Sequence, residues 1–138
     1  MTRYLLDTPI FERVFQPVFP TGLQAWLRDQ SDQDLFVSSL TLAEIRRGIL
    51  EKPAKQRAQL EGWFYGPEGP QSLFLGRILS FDERAGLVWA RLMAEGNAAG
   101  RPRNPLDMII AAIAEANGCV IVTDNDKAFV GMTVVNPF

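Results

Sequence analysis

The sequence predicts a three-layer α/β/α domain built around a parallel sheet of about five strands. Short apolar runs alternate along the chain with longer amphipathic segments, which is the pattern of an α/β fold. The runs are apolar throughout, as expected of parallel strands that helices cover on both faces. The chain has 138 residues, the length of one ordinary domain, so we expect residues 1–138 to form a single domain.

The apolar runs and the helical patterns give five strands and five helices. The predicted strands are Arg3–Leu6, Leu35–Leu40, Arg77–Phe81, Val120–Thr123 and Thr133–Val135. The predicted helices are Thr21–Gln30, Thr41–Leu50, Ala54–Tyr65, Asp82–Ala99 and Pro105–Asn117. Asparagine is favoured at the N-cap and proline at the first helical position, so Asn104 and Pro105 predict a helix start. Gly118 is a typical residue just after a helix end. The segment Gly62–Gly69 favours no particular structure.

The chain contains no histidine and a single cysteine, Cys119. This excludes Ser-His and Cys-His nucleophile pairs, thiolate metal sites and nearly every zinc site. The lone cysteine also excludes an internal disulfide and favours a cytoplasmic protein. If the protein is an enzyme, carboxylates must carry its chemistry, and the metals that they prefer are hard ions such as Mg²⁺ or Mn²⁺.

The overall charge and hydropathy argue against two other classes of protein. The net charge is −2 and the pI is about 5.1, which mildly disfavours a passive nucleic-acid-binding surface. The objection is weak for a metal nuclease, because a bound divalent ion reverses the charge of an acidic pocket. No run approaches the roughly 20 apolar residues of a membrane span, and the N-terminus does not read as a signal peptide.

Several acidic residues fall where the predicted strands end. Asp7 ends the first strand, Glu44 opens the helix after the second, Asp107 opens the helix before the fourth, and Asp124-Asn125-Asp126 follows the fourth. Ligand sites of open parallel sheets lie beyond the carboxyl ends of the strands. Carboxylates gathered there would repel one another unless cations lay among them, which predicts a divalent metal site.

Each of these residues also has a structural interpretation. Thr41–Glu44 matches a capping box, in which Glu44 would satisfy backbone donors, and Asp107 could complement a helix dipole. Asp7 could cap the turn before Thr8-Pro9, and Asp and Asn are common in turns such as the one after the fourth strand. Asp82 also follows a strand but reads only as a cap; only a sheet-edge position of its strand would exclude it from the site.

Taken in order, these motifs resemble the PIN-domain ribonuclease toxins of the VapBC toxin–antitoxin type. The resemblance rests on five segments and covers essentially the whole chain: Leu5-Leu-Asp7-Thr, Leu42-Ala-Glu44-Ile-Arg-Arg-Gly48, Pro105-Leu-Asp107-Met-Ile-Ile-Ala111, Val122-Thr-Asp-Asn125 and the terminal Asn136-Pro-Phe138. None of these motifs is specific to the family alone. The combination of their order and spacing is specific.

The resemblance implies a sheet whose first and fourth strands are central and whose third strand lies at an edge. It implies a Mg²⁺- or Mn²⁺-dependent endoribonuclease that cuts a tRNA or ribosomal RNA by means of metal-activated water, with a 3′-hydroxyl product. It also implies a cognate antitoxin, a homodimer, and contact with DNA only through the antitoxin. Asp7, Glu44 and Asp107 match the three most dependable acidic positions of the family.

The chain departs from the family pattern at two positions. Pro9 stands where the first motif has asparagine, and Ala128 replaces a frequent aspartate. Asn125 occupies a position where the family has Asn or Asp, so the fourth metal-binding group is open among Asp124, Asn125 and Asp126. We favour Asp126 as the carboxylate that completes the site with Asp7, Glu44 and Asp107.

Basic residues and two alternative functions complete the expectations. Arg46, Arg101, Arg103 and Asn125 are candidate contacts for RNA or the antitoxin, although solvated surface explains the arginines as well. A non-catalytic PIN-like binding module would also fit the departures at Pro9 and Ala128. A phosphatase or receiver domain with Asp7 as phosphoryl acceptor fits less well, because Pro9 takes the place of a second aspartate and Lys127 is a poor match for the receiver lysine.

Overall fold

A computed structural model describes residues 1–18 and 20–138 and contains one parallel sheet of five strands. The strands are β1 Arg3–Leu6, β2 Leu35–Ser38, β3 Ile78–Leu79, β4 Cys119–Val122 and β5 Val134–Val135. Their order across the sheet is β3-β2-β1-β4-β5, and all four neighbouring pairs are parallel. The predicted α/β class is confirmed, with β1 in the centre and β3 at an edge.

The helices confirm the five that the sequence predicts and add two short ones. They are α1 Thr8–Val14, α2 Thr21–Arg28, α3 Ser39–Leu50, α4 Ala54–Tyr65, α5 Pro70–Leu73, α6 Glu83–Ala98 and α7 Pro105–Ala116. Short 3₁₀ helices span Asp32–Asp34 and Asp126–Phe129. The additions are α1 and α5; each has at most seven residues and is too short to show a helical period.

Apolar side chains cover both faces of the sheet, which gives the three predicted layers. Neighbouring residues of a strand point to opposite faces, so Leu5 packs in one core with the helices α6 and α7, and Leu6 packs in the other with α1 and α2. The α7 helix supplies most of the first core and is buried along Met108 and Ile110–Ala114. This burial fixes the first turn of α7, where Asp107 lies.

The start of α3 differs from the prediction. Ser38 ends β2 and caps the helix, because its Oγ accepts a hydrogen bond from the backbone N–H of Thr41 at 3.0 Å. The helix therefore begins at Ser39 rather than Thr41, and the expected β2 run to Leu40 ends two residues earlier. The capping box Thr41–Glu44 is wrong, since Thr41 is inside the helix and Glu44 is free for other partners.

Two other helix starts confirm the predicted caps. The Oδ1 of Asn104 accepts from the backbone N–H groups of Leu106 and Asp107 at 2.9 and 3.0 Å, with Pro105 opening α7. Asp82 accepts from the N–H of Ala85 at 2.9 Å. Because Asp82 follows the edge strand β3, it lies away from the centre of the sheet. Asp82 is therefore a helix cap and is excluded from the cluster of carboxylates at the central strands.

Among the helices built from described residues, none combines the length and the apolar character that crossing a membrane would need.

Candidate metal centre

The carboxyl ends of β1 and β4 open into an acidic cleft of about 290 Å³. Asp7, Glu44 and Asp107 line it together, as the sequence predicts, and so do Asn125 and Glu12. We call this pocket the acidic cleft. Residues that are more than 30 positions apart in the chain meet here because β1 and β4 are adjacent and α3 and α7 begin at the same end of the sheet.

Asp7 is the most deeply placed of these carboxylates, with 6% of its surface exposed. Its Oδ1 accepts from the N–H of Thr8 at 2.9 Å, and its Oδ2 accepts from the hydroxyl of Thr123 at 2.9 Å. Burial raises the pKa of Asp7 above its ordinary value; these hydrogen bonds oppose the rise, while Asp107 and Glu44 add to it. Asp7 also caps α1, which confirms its structural interpretation, and the same carboxylate lines the cleft.

Glu44 is oriented by a chain of hydroxyl groups rather than by backbone donors. The hydroxyl of Thr8 donates to Glu44 Oε1 at 2.7 Å, and it lies 2.8 Å from the hydroxyl of Thr41. Since Thr8 has one proton and gives it to Glu44, Thr41 is the donor in the second contact. The hydroxyl of Ser38 donates in turn to Thr41 at 3.1 Å. The buried end of β2 thereby fixes the direction of the Glu44 carboxylate.

Asp107 and Glu12 face Glu44 from two other elements. Partial burial and the nearby charge of Glu44 raise the pKa of Asp107 above its ordinary value. The same two causes, in the same order, raise the pKa of Glu12. Glu12 lies on α1, one helical turn after Thr8, which places it on the face of the helix that lines the cleft. Glu12 is not among the predicted site residues, because the sequence pattern predicts no helix at Thr8–Val14.

The turn after β4 points one of its three polar side chains into the cleft. Asn125 lines the cleft, and its backbone N–H donates to the hydroxyl of Thr123 at 3.0 Å. Asp124 instead pairs with Arg13 at 2.9 Å, and exposed Asp126 accepts from the amide of Asn136 at 3.3 Å. The structure thus brings Asn125 into the cluster and leaves Asp124 and Asp126 outside it, whereas the sequence analysis favoured Asp126.

The cleft has the donor chemistry of a hydrated magnesium or manganese site. None of the described residues that line it is basic, so no side chain of the lining neutralises its four carboxylates. Within residues 1–18 and 20–138, no three acidic or cysteine side chains are grouped tightly enough to enclose an ion by themselves. Mg²⁺ fits such a site, because it usually keeps several waters and takes one or two carboxylates rather than a full protein cage.

The two departures from the family pattern lie in different surroundings. Pro9 lines the cleft in the first turn of α1, where proline is compatible with the helix. Ala128 is half-buried and packs against the core around α7. Glu12 and Asn125 therefore supply the polar groups of the cleft that Pro9 and Ala128 do not.

The three arginines predicted to contact RNA or the antitoxin differ in their contacts within the protein. Arg46 pairs with Glu61 at 2.8 Å and stacks on the ring of Tyr65. Arg103 donates to the carbonyl of Leu92 at 2.6 Å and lies 3.6 Å from Glu95. The side chain of Arg101 has no ion pair with any residue that the structure describes.

An α/β/α sandwich with this strand order and an acidic cleft at the ends of its central strands is the architecture of a PIN domain. The PIN-domain family model matches residues 4–133. The chain therefore belongs to the PIN-domain family, as its sequence motifs predict.

Its similarity to individual proteins covers between two thirds and nearly all of the chain. It is 31% identical over 137 residues to the VapC ribonuclease Y4jK of Sinorhizobium fredii, covering 97% of this chain and 96% of that protein. It is 33% identical over 97 residues to the tRNA(fMet)-specific endonuclease VapC of Shigella flexneri, covering 67% and 65%. The crystal structure of FitAcB from Neisseria gonorrhoeae superposes with a TM-score of 0.85 at 28% identity, covering 97% of each chain. The predicted resemblance to VapC-type PIN domains is confirmed.

Proposed function

We propose that this protein is the toxin of a type II toxin–antitoxin pair and acts as a Mg²⁺- or Mn²⁺-dependent endoribonuclease. The observation that carries the proposal is the acidic cleft, where Asp7, Glu12, Glu44 and Asp107 meet and none of the described lining residues is basic. Burial and mutual repulsion raise the pKa of three of them, so binding a cation there relieves a cost built into the fold. Histidine-based chemistry is excluded by the sequence itself.

The metal would be held by Asp7 and Asp107, with Glu44, Glu12 and the amide of Asn125 as further oxygen ligands or as partners of its waters. A bound divalent ion supplies a more acidic water and a positive charge for the phosphate undergoing attack. The protein prepares the cleft for this. Thr8 and Thr123 fix the two oxygens of Asp7, and the hydroxyl chain from Ser38 fixes Glu44.

RNA is the substrate class that we propose, with tRNA or ribosomal RNA as the specific target. The names of two relatives support it, because one is called a ribonuclease and the other a tRNA-specific endonuclease. Such a substrate places the protein in the cytoplasm. Oxygen-ligated Mg²⁺ at a cleft that opens to solvent suits a phosphodiester, whose oxygens complete the coordination.

A cognate antitoxin is the proposed protein partner. An apolar groove of about 330 Å³ lies between α1, α3 and α4, next to the acidic cleft, and Glu12 and Glu44 line both. Its apolar lining consists of Phe15, Ile45, Ile49, Leu60 and Trp63. Such a groove suits the apolar face of an antitoxin helix, and the acidic edge suits a basic segment beside it. DNA would be reached only through that antitoxin, and the homodimer remains an expectation from the family resemblance.

Metal removal and restoration test the proposed function directly. The purified protein is stripped with EDTA and incubated with a pool of tRNA and ribosomal RNA, with and without Mn²⁺. We expect discrete cleavage fragments only with the ion, and calorimetry should show Mn²⁺ binding to the stripped protein. A metal-independent cleavage would contradict the mechanism.

The same titration separates the alternatives. A protein that binds neither Mn²⁺ nor Mg²⁺ and leaves RNA intact would be the non-catalytic PIN-like module. The departures from the family pattern at Pro9 and Ala128 are the observation that suggests this alternative. Labelling by acetyl phosphate would favour the phosphoryl-accepting alternative instead.

A further inference from the structure

A second groove of about 440 Å³ shares Asp107 with the acidic cleft. One wall is the loop from Ala99 to Asn104 between α6 and α7, and the other is the segment from Lys127 to Gly131 after β4. Asp107 lines both this groove and the acidic cleft, so the two are continuous at that residue. We call it the basic groove for the side chains described next.

Two cations of the basic groove are available to a ligand. Arg101 lines the groove from the loop between α6 and α7, Lys127 lines it from the segment after β4, and both are exposed. No hydrogen bond or ion pair joins either side chain to another residue in the described part of the chain. Arg103 lines the groove as well, but the Leu92 carbonyl and Glu95 hold its guanidinium. The available positive charge beside Asp107 therefore comes from Arg101 and Lys127.

The wall that carries Arg101 is held against α6 by close packing. A Cβ on Gly96 would lie 3.0 Å from the carbonyl oxygen of Arg101 and 2.9 Å from Cγ of Arg103, so only glycine lets the loop approach this closely. The backbone N–H of Arg101 donates to the carbonyl of Gly96 at 2.9 Å. With Arg103 anchored on Leu92, the loop presents the Arg101 side chain from a fixed position, which lowers the entropy cost of binding.

We propose that Arg101 and Lys127 bind backbone phosphates of a single RNA strand next to the scissile bond, so that the strand runs from the basic groove across Asp107 into the acidic cleft. This inference rests on the proposed endoribonuclease function and names how that site holds its substrate. Phosphate contacts fix the position of a strand without reading its sequence. They also offset part of the repulsion between RNA and the four carboxylates of the cleft.

The double variant Arg101→Ala/Lys127→Ala tests this role by the salt dependence of RNA binding. Each phosphate neutralised on a single strand contributes about 0.7 to the slope of log affinity against log salt, so two contacts contribute about 1.4. Between about 50 and about 200 mM salt, the wild type should lose about sevenfold more affinity than the variant. Fluorescence anisotropy with a labelled single-stranded RNA in EDTA measures this without cleavage. In Mn²⁺, the variant should show a raised KM with kcat changed much less.

The matched control is Lys55→Ala/Arg84→Ala, which removes the same two charges from exposed positions on α4 and α6 that do not line the described grooves. The control should keep the wild-type slope and KM. If the wild type cleaves RNA but the two double variants behave alike, the basic groove does not bind RNA and the inference falls by itself. If the wild type neither binds nor cleaves RNA, the proposed function falls first. Thermal melting of both variants verifies that neither change unfolds the protein.

Discussion

Replacing Asp107 by asparagine is expected to reduce RNA cleavage roughly a thousandfold and to leave the fold intact. The carboxylate of Asp107 has no hydrogen bond or ion pair with the residues that the structure describes, so an amide of the same shape disturbs no contact. The variant lacks one of the two carboxylates that we propose to hold the metal. Metal-based stabilisation of a transition state is worth several kcal/mol, and about 4 kcal/mol corresponds to a thousandfold in rate. Cleavage assays in Mn²⁺ and calorimetric titration measure the two losses.

The same variant should be slightly more stable than the wild type when no metal is present. Burial and Glu44 raise the pKa of Asp107 in the folded protein, so the ionised carboxyl destabilises the fold at neutral pH. In the wild type this cost decreases as the pH falls through the raised pKa, and it is gone below the ordinary value of 3.8. The stability advantage of the asparagine variant should therefore be present at pH 7 and vanish below that value, as melting curves in EDTA will show.

Asp82→Asn is the control for both measurements. It makes the same acid-to-amide change at the end of a strand and on a helix cap, where asparagine and aspartate are equally good. Because Asp82 follows the edge strand, its variant should cleave RNA at the wild-type rate. Equal loss of activity in the two variants would contradict the assignment of Asp107.

The second large effect is expected at Asp7, where two substitutions should separate function from stability. Asp7→Asn and Asp7→Ala should both lose cleavage roughly a thousandfold, since either removes a carboxylate that we propose to hold the metal. The asparagine keeps an oxygen that accepts from the N–H of Thr8, so α1 stays capped. The alanine leaves that N–H without its acceptor, whereas both substitutions remove the carboxylate oxygen that accepts from the buried hydroxyl of Thr123.

The alanine variant should therefore be less stable than the asparagine variant by about 0.5–2 kcal/mol, the typical cost of replacing a capping side chain by alanine. Urea denaturation in EDTA measures this difference without a contribution from metal binding. Comparing the two variants cancels the gain that each receives from losing a buried charge. If the two variants unfold at the same urea concentration, the side chain of Asp7 does not stabilise the fold by capping α1.

The position of the main carboxylates was predictable because it follows from topology. Asp7, Glu44 and Asp107 come after or before apolar segments that can only be interior strands or buried helices, and parallel strands bring their carboxyl ends to one edge. The same reasoning kept Asp82 apart once β3 was known to be an edge strand. The first inference needs only the order of elements along the chain, which the apolar pattern contains. The exclusion of Asp82 needs the strand order across the sheet, which the sequence predicts only through the family resemblance.

The remaining features of the site depend on details that no apolar pattern contains. Glu12 faces the cleft only because a seven-residue helix follows Asp7. Asn125 rather than Asp126 enters the cleft because a 3₁₀ helix begins at Asp126 and turns its side chain toward Asn136. Arg101 and Arg103 look equivalent in the sequence, yet packing on Gly96 and Leu92 engages one and leaves the other free.

The most direct test of the whole account is anomalous diffraction from crystals of the wild-type protein soaked in Mn²⁺. The signal should appear between the carboxylates of Asp7 and Asp107, on the side of Glu44 and Asn125, and it should disappear in crystals of Asp107→Asn. A manganese peak elsewhere, or none at the acidic cleft at a concentration that supports RNA cleavage, would contradict the claim that the carboxylates of the acidic cleft form the metal site.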